Sequence, residues 1–306
     1  MDMPEEHAMP MSPLDLSLEE VCDRALRLPC APTLLPRLLG VLGRAESSIE
    51  DMEEVIRLDP ALGGAVLRLA NSAHFADAGA GVDSLHEAVL RLGQKEIYRL
   101  AALSIASRWA AYEDFGYEWN PGDFCRVSLV TAVAAEVLAE RSRRVSPEVA
   151  YTAGLVQGLG KLALAYSCSR AFPAIRRRQR ALGCTWLEAE ADVLGFSHAM
   201  VSAGLLRRWR FPEAFAVVAA HNPPTKAIAA EHLPLAVHVH AANYLAASFG
   251  VGQGEEGLLM GLNPELLLEW SFTPEFLEAA LPEVFARATR LMRDRLHEKR
   301  ALDAGW

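Results

Sequence analysis

At 306 residues, with 51% hydrophobic and 23% charged side chains, the chain is long enough for one large domain or two closely packed ones and far from the composition that stays disordered. Its formal net charge of −9 and isoelectric point near 5.5 argue against non-specific binding to a polyanion such as duplex DNA. Five widely spaced cysteines without a Cys-x-x-Cys pair indicate neither a disulfide framework nor a zinc knuckle, and with no basic leader and no apolar run of about 18 residues, a soluble cytoplasmic protein is expected.

Helix-start signals recur along the chain and strand signals are nearly absent. Capping boxes are read at Ser17 with Glu20, Ser47 with Glu50, Ser84 with Glu87 and Thr185 with Glu188. At Asp59-Pro60 and Ser146-Pro147 a capping side chain precedes proline at the first helical position, where the missing N–H costs nothing. From Asp59 a helix runs with Leu62, Val66 and Leu69 on one face. Asn71 and Ser72 then sit where that helix ends, as a C-terminal cap and turn, with ligand binding the alternative role.

Asp77–Gly81 reads as a surface loop, and Tyr112–Gly122 as the joint between two helical halves. The segments Ser128–Ala139 and Val149–Leu164 are rich in apolar and small residues and are expected to pack as neighbours; the second, apolar nearly all round, reads as one central buried helix. Arg170–Arg180 holds five arginines and no acid. Its simplest reading is the solvated side of a helix whose core face is Ile175, Leu182 and Trp186, with phosphate, nucleotide or partner binding through Arg176, Arg177 and Arg178 as the alternative. His238 and His240, two apart, point to different faces of a helix and do not form a pair. A glycine-rich loop at Gly250–Gly257 precedes added helices, the last running from Pro282 to Lys299. Leu281, Val284, Phe285, Ala288, Leu291, Met292 and Leu296 share a helical spacing there and are expected to pack on the domain or on a second subunit.

The run from Leu28 to Leu100 resembles the N-terminal half of HDOD domains. It has the proline-bearing opening Leu28-Pro29 to Leu34-Leu-Pro36, the Asp59-Pro60 helix start, the pair Asn71-Ser72, and Ala88-Val-Leu-Arg-Leu-Gly93, in order. Residues from about Phe124 to Gly250 resemble the half that HDOD domains share with HD phosphohydrolases. The resemblance implies an all-α, multi-helix HD-like fold with an N-terminal helical lobe (28–111) and a C-terminal HD-related helical lobe (112–250), flanked by extensions at 1–27 and 251–306.

In the catalytic relatives a first His, a His-Asp pair and further His and Asp residues cage metal ions that acidify a bound water. Carried onto this chain, the first His falls on Val127, the His-Asp pair on Gln157-Gly158 and the late Asp on Asn243. His198 and His221 remain, the latter where the family usually has a His-His pair and this chain has His221-Asn222. Two histidines without a carboxylate are expected to be structural, so no metal and no cofactor is predicted. Gly154, Gly160 and Lys161 are kept around the lost pair.

The expected protein is therefore a non-catalytic bacterial signalling module that acts through a protein partner or a small-molecule or nucleotide ligand. Gln157, His198, His221 and Asn243, with Asn71 and Ser72, are its candidate site residues, and a homodimer is one possible assembly. The alternatives are a residual metal-dependent phosphohydrolase and binding of a nucleotide second messenger or nucleic acid through the arginine runs.

Overall fold

A computed structural model describes residues 16–26, 32–44, 46–72, 75, 81–109, 116–250 and 261–303. Of the expectations above, Leu28-Pro29, most of the Asp77–Gly81 loop, positions 112–115 of the joint, the loop after Gly250 and the side chain of Leu296 lie outside the described residues. Among the described residues every regular element is a helix, as the start signals and the resemblance require.

The first lobe holds α2 (Leu34–Leu42), α3 (Ile49–Ile56), α4 (Pro60–Ala70), α5 (Leu85–Leu92) and α6 (Gln94–Trp109), preceded by α1 (Leu18–Ala25). The second runs through α7 (Asp123–Ser142), α8 (Pro147–Val156), α9 (Leu159–Ser167), α10 (Phe172–Leu182), α11 (Trp186–Leu194), α12 (His198–Arg208), α13 (Glu213–Ala220) and α14 (Leu233–Ser248). Two further helices follow, α15 (Pro264–Glu269) and α16 (Pro274–Asp303). One contiguous apolar core passes through both lobes.

Local chemistry starts these helices as expected, with one displacement. Ser17 with Glu20 and Thr185 with Glu188 form complete capping boxes, Ser84 accepts from the Glu87 amide, and Asp59 and Ser146 cap proline-initiated helices. The box assigned to Ser47 and Glu50 belongs one residue later, to Ser48 and Asp51. The apolar stretch Val149–Leu164 is likewise two helices, because the chain breaks at Gln157-Gly158 before α9. On α10 the buried face is Phe172, Ile175 and Gln179, whereas Leu182, expected in the core, is 55% exposed.

Small residues draw the central helices together. A β-carbon at Gly154 would lie 2.9 Å from the carbonyl oxygen of Thr131, so α8 meets the backbone of α7 directly. Gly160 does the same between α9 and the first turn of α12, where its N–H donates to Ser202 Oγ at 2.7 Å. The lobes meet through α6: Tyr98 hydrogen-bonds Thr152 of α8, and Arg99 pairs with the buried Glu136 of α7 at 2.7 Å.

Both extensions pack on the second lobe. α1 buries Val21 and Cys22 and lies against α9 and α12, with Arg208 paired to Glu19 and Asp23. α16 begins at Pro274, earlier than the expected start at Pro282, and packs along α7. Val284 and Ala288 are buried there as the spacing predicts, but Phe285 is 60% exposed and stacks on Phe249 at the surface.

Candidate functional site

The helix break at Gln157-Gly158 opens α8 toward α14, and the polar side chains that meet there form one directed chain of hydrogen bonds. Its orientation is set by a backbone group. The Asn263 N–H donates to His240 Nε2 at 3.1 Å, which makes Nε2 the bare nitrogen and puts the ring proton on Nδ1. Nδ1 then donates to Asn222 Oδ1 at 3.0 Å. Asn222 Nδ2 donates to Gln157 Oε1 at 3.3 Å, and Gln157 Nε2 donates to Asn243 Oδ1 at 3.2 Å. Thr131 of α7 also reaches Asn243 Oδ1, at 3.5 Å. The terminal donor, Asn243 Nδ2, is buried and has no hydrogen-bond partner among the described residues.

Every member of this chain is neutral. His240 is 1% exposed, and burial brings its pKa down to about 4. His238 also falls to about 4, first through burial, although its ring donates to the Pro234 carbonyl at 2.7 Å. Its other nitrogen lies 2.6 Å from Ser142 Oγ. The two histidines face different partners, as their spacing predicts.

His198 belongs to a separate arrangement. Its Nδ1 lies 2.6 Å from Glu190 Oε2, which also accepts the His198 backbone N–H at 2.7 Å. Tyr117 donates to the other carboxylate oxygen at 2.6 Å. Burial opposes a charge on Glu190, yet its pKa stays below the usual carboxylate range, because His198 and the donated hydrogen bonds outweigh that cost. Around Tyr117 the rings of Trp119, Phe172 and Trp186 form an aromatic wall, with Lys161 over Tyr117 and Trp119.

The other sequence candidates fall elsewhere. His221 is exposed at the end of α13, and it is its neighbour Asn222 that enters the hydrogen-bonded chain. Asn71 grips the returning backbone: Nδ2 donates to Val82 O and Oδ1 accepts from Val82 N, both at 2.7 Å. Ser72 Oγ donates to Leu69 O at 2.8 Å, closing α4. In the arginine run, Arg176 pairs with Glu118 at 2.8 Å and Arg178 with Asp192 at 2.9 Å, while Arg177 is exposed. Arg207 is likewise paired with Glu213.

Residues that the sequence reading did not assign to a site are Thr131, Asn222, His240 and Asn263 in the chain, and Glu190 and Tyr117 beside His198. Two signals were available. His240 and Asn243 are three apart and share a helix face, and Glu190 interrupts the otherwise apolar face of Trp186 and Ala189, where an unpaired acid would be costly.

These donors do not fit a divalent metal. At Val127, Gly158, Gln157 and Asn243, where the resemblance implies ligands, the chain offers a valine, a glycine and two amides bonded to each other, and the carboxylate nearest His198 is committed to three N–H or O–H groups. Among the described residues no group of three or more His, Cys, Asp or Glu side chains is placed to hold a metal ion.

A two-lobed helical domain of the HD type, with a hydrogen-bonded amide network joining the end of α8 to α14, is thus the class that fold and site define. Residues 28–224 match the HDOD domain model, and the chain belongs to the HDOD family. It is similar to an HDOD domain protein of unknown function from Geobacter sulfurreducens, at 21% identity over 90% of this chain and 97% of that one, with a TM-score of 0.65. A Shewanella amazonensis SB2B protein provisionally described as a phosphohydrolase is 22% identical, over 92% of this chain and 98% of that one, with a TM-score of 0.65. A Marinobacter aquaeolei VT8 protein provisionally described as a signal transduction protein is 22% identical, over 89% of this chain but 60% of that one, with a TM-score of 0.63. At such identities the likeness is one of fold. No curated protein matches the chain. Among the described residues no helix is long and apolar enough to cross a membrane.

Proposed function

We propose that this protein is a non-catalytic regulatory module of a bacterial cytoplasmic signalling pathway, acting through a protein partner or a small ligand, as a monomer or homodimer. The observation that carries this reading is the Asn263–His240–Asn222–Gln157–Asn243 chain. Hydrolysis of a phosphoester on this fold needs ligands that bind a cation and lower the pKa of a water. Neutral amides bonded in a chain do neither. Family membership and the signal transduction assignment of the Marinobacter protein support the signalling part of the reading.

Binding of nucleic acid or a nucleotide through the arginine runs draws little support, since Arg176, Arg178 and Arg207 are each paired with a carboxylate. The test is to incubate the purified full chain with manganese, zinc or iron, measure bound metal after desalting, and assay phosphomonoesters, nucleotides and cyclic dinucleotides. The expected result is substoichiometric metal and no turnover. Stoichiometric metal with turnover lost in His198→Ala would overturn the reading.

A further inference from the structure

The first lobe carries a concave site apart from the amide network. Thr33, Leu34 and Arg37 at the start of α2, Leu58 and Asp59 before α4, and Ile105 and Arg108 at the end of α6 enclose a bowl of about 320 Å³. That volume is at the lower end of the range for small-molecule sites, large enough for one or two rings.

Its charges are arranged in an ordered way. Asp59 Oδ1 accepts the Ala61 and Leu62 amides at 3.0 and 3.2 Å, so one carboxylate oxygen caps α4. The other takes a single nitrogen of Arg108. Asp59 therefore holds the Arg108 guanidinium at the bowl while leaving most of its N–H donors without a partner among the described residues. Arg37 is exposed and makes no ion pair among the described residues, unlike Arg141, Arg207 and Arg287. Thr33 stands at the N-cap of α2 but its hydroxyl does not bond the helix amides. Two arginines against one aspartate leave a local excess of one positive charge in a chain whose net charge is −9. Ile105 forms a buried apolar floor, and Leu58 leaves 56% of its surface exposed on the wall.

We propose that this bowl binds a small organic anion with one oxyanion head group on a one- or two-ring apolar body. The head group bridges Arg37 and Arg108 and accepts from the Thr33 hydroxyl, where charge-assisted bonds from guanidinium groups are strongest. The ring covers Leu58 and rests on Ile105, removing apolar surface from water. A single excess charge matches one head group, and the apolar wall distinguishes an organic anion from inorganic phosphate. The proposal is independent of the amide network and holds whichever output the second lobe drives.

Titration calorimetry on the full chain tests it with three probes: benzoate, phenyl phosphate and inorganic phosphate. Expected is saturable one-to-one binding of benzoate or of phenyl phosphate, tighter than that of inorganic phosphate; which of the two binds identifies the head group. Arg37→Ala should weaken binding by about tenfold, the scale of one charge-assisted contact. Thr33→Val and Leu58→Ala should weaken it several-fold, and Arg177→Ala should leave it unchanged. All four positions are exposed, so the variants should fold. No saturable binding by any probe, inorganic phosphate binding as tightly as the ring-bearing anions, or an unchanged affinity in Arg37→Ala would each overturn the proposal.

Discussion

Gly160 of α9 lies against His198 at the start of α12 so closely that a β-carbon at position 160 would overlap the His198 carbonyl oxygen and sit 2.6 Å from the Ser202 amide nitrogen. The atoms in the way are backbone and cannot rotate aside. Gly160→Ala must therefore separate α9 from α12, and it should cost about 3 kcal/mol or more, the upper range for overpacking. Gly40 in α2 is the control, since a β-carbon there meets nothing within 4 Å. Gly40→Ala should stabilise the protein by roughly 0.5–1 kcal/mol through helix propensity and a less flexible unfolded chain. Urea midpoints of the two variants should move in opposite directions.

In the amide network, Asn222 stands between His240 and Gln157 and bonds both. Asn222→Ala strands the buried Nδ1–H of His240 and removes the donor from Gln157 Oε1. An unsatisfied buried donor costs about 1–3 kcal/mol, whereas Gln157 is half-buried and water can replace its partner. A loss in that range by denaturant unfolding is expected. Asn222→Asp tests the polarity of the chain, because its carboxylate still accepts from His240 but cannot donate to Gln157, and it introduces a charge. Nitrogen NMR of the His240 ring should find its proton on Nδ1 in the wild type and in Asn222→Asp, and a proton on Nε2 would contradict the assigned direction.

The capping motifs were legible in the sequence because they are local: donor and acceptor lie three residues apart and need no tertiary partner. Even there, Ser47 with Glu50 and Ser48 with Asp51 fit the same pattern, and only the backbone chooses the second. The break at Gln157-Gly158 was not legible, since both flanking helices are buried on most faces and apolar periodicity runs through it. The resemblance located Gln157 and Asn243 as substituted ligand positions. It could not show that they bond each other, because the partners come from α8 and α14, 86 residues apart. Leu182 and Phe285 were misread for a related reason: helical spacing places a residue on a face but does not say where the covering neighbour ends.

Burial of His238 and His240 makes stability depend on pH in a definite sense. Both have folded-state pKa values lowered to about 4 from 6.5. A group whose folded pKa is depressed contributes fully above its unfolded pKa, and the contribution is lost as pH falls toward the folded value. The window is therefore from 6.5 down to about 4. Urea midpoints should be flat above the upper limit and fall steadily below it. His240→Gln should reduce the slope within the window, and a wild-type midpoint that holds constant across it would contradict the buried neutral state of both rings.

Glu136 joins three parts of the molecule: it sits on α7, accepts from Arg99 of the first lobe at 2.7 Å, and lies 3.4 Å from Arg287 of the C-terminal helix. Its side chain is 6% exposed, and burial holds its pKa above the usual range even with Arg99 beside it. Arg287 has further partners in Glu140 and Glu283, both partly open to solvent, so either arginine alone can still neutralise Glu136. Arg99→Met or Arg287→Met should each cost only about 1 kcal/mol, as befits pairs reached by water. With both removed, an unpaired buried carboxylate remains, and the double variant should lose more than the sum of the singles, by an interaction of about 0.5–3 kcal/mol. The sign with pH is opposite to that of the histidines. A folded pKa raised above the unfolded value gives a contribution present below the unfolded pKa and lost as pH rises through the folded one, so the double variant should recover, relative to wild type, on acidification. Placing Glu136→Gln in the double variant removes the stranded charge and should restore part of the loss at neutral pH. A double variant that is simply additive and indifferent to Glu136→Gln would mean that the two arginines do not couple through Glu136, and that α16 is held to α7 by apolar contact through Val284 and Ala288 and by the Arg141–Glu283 pair.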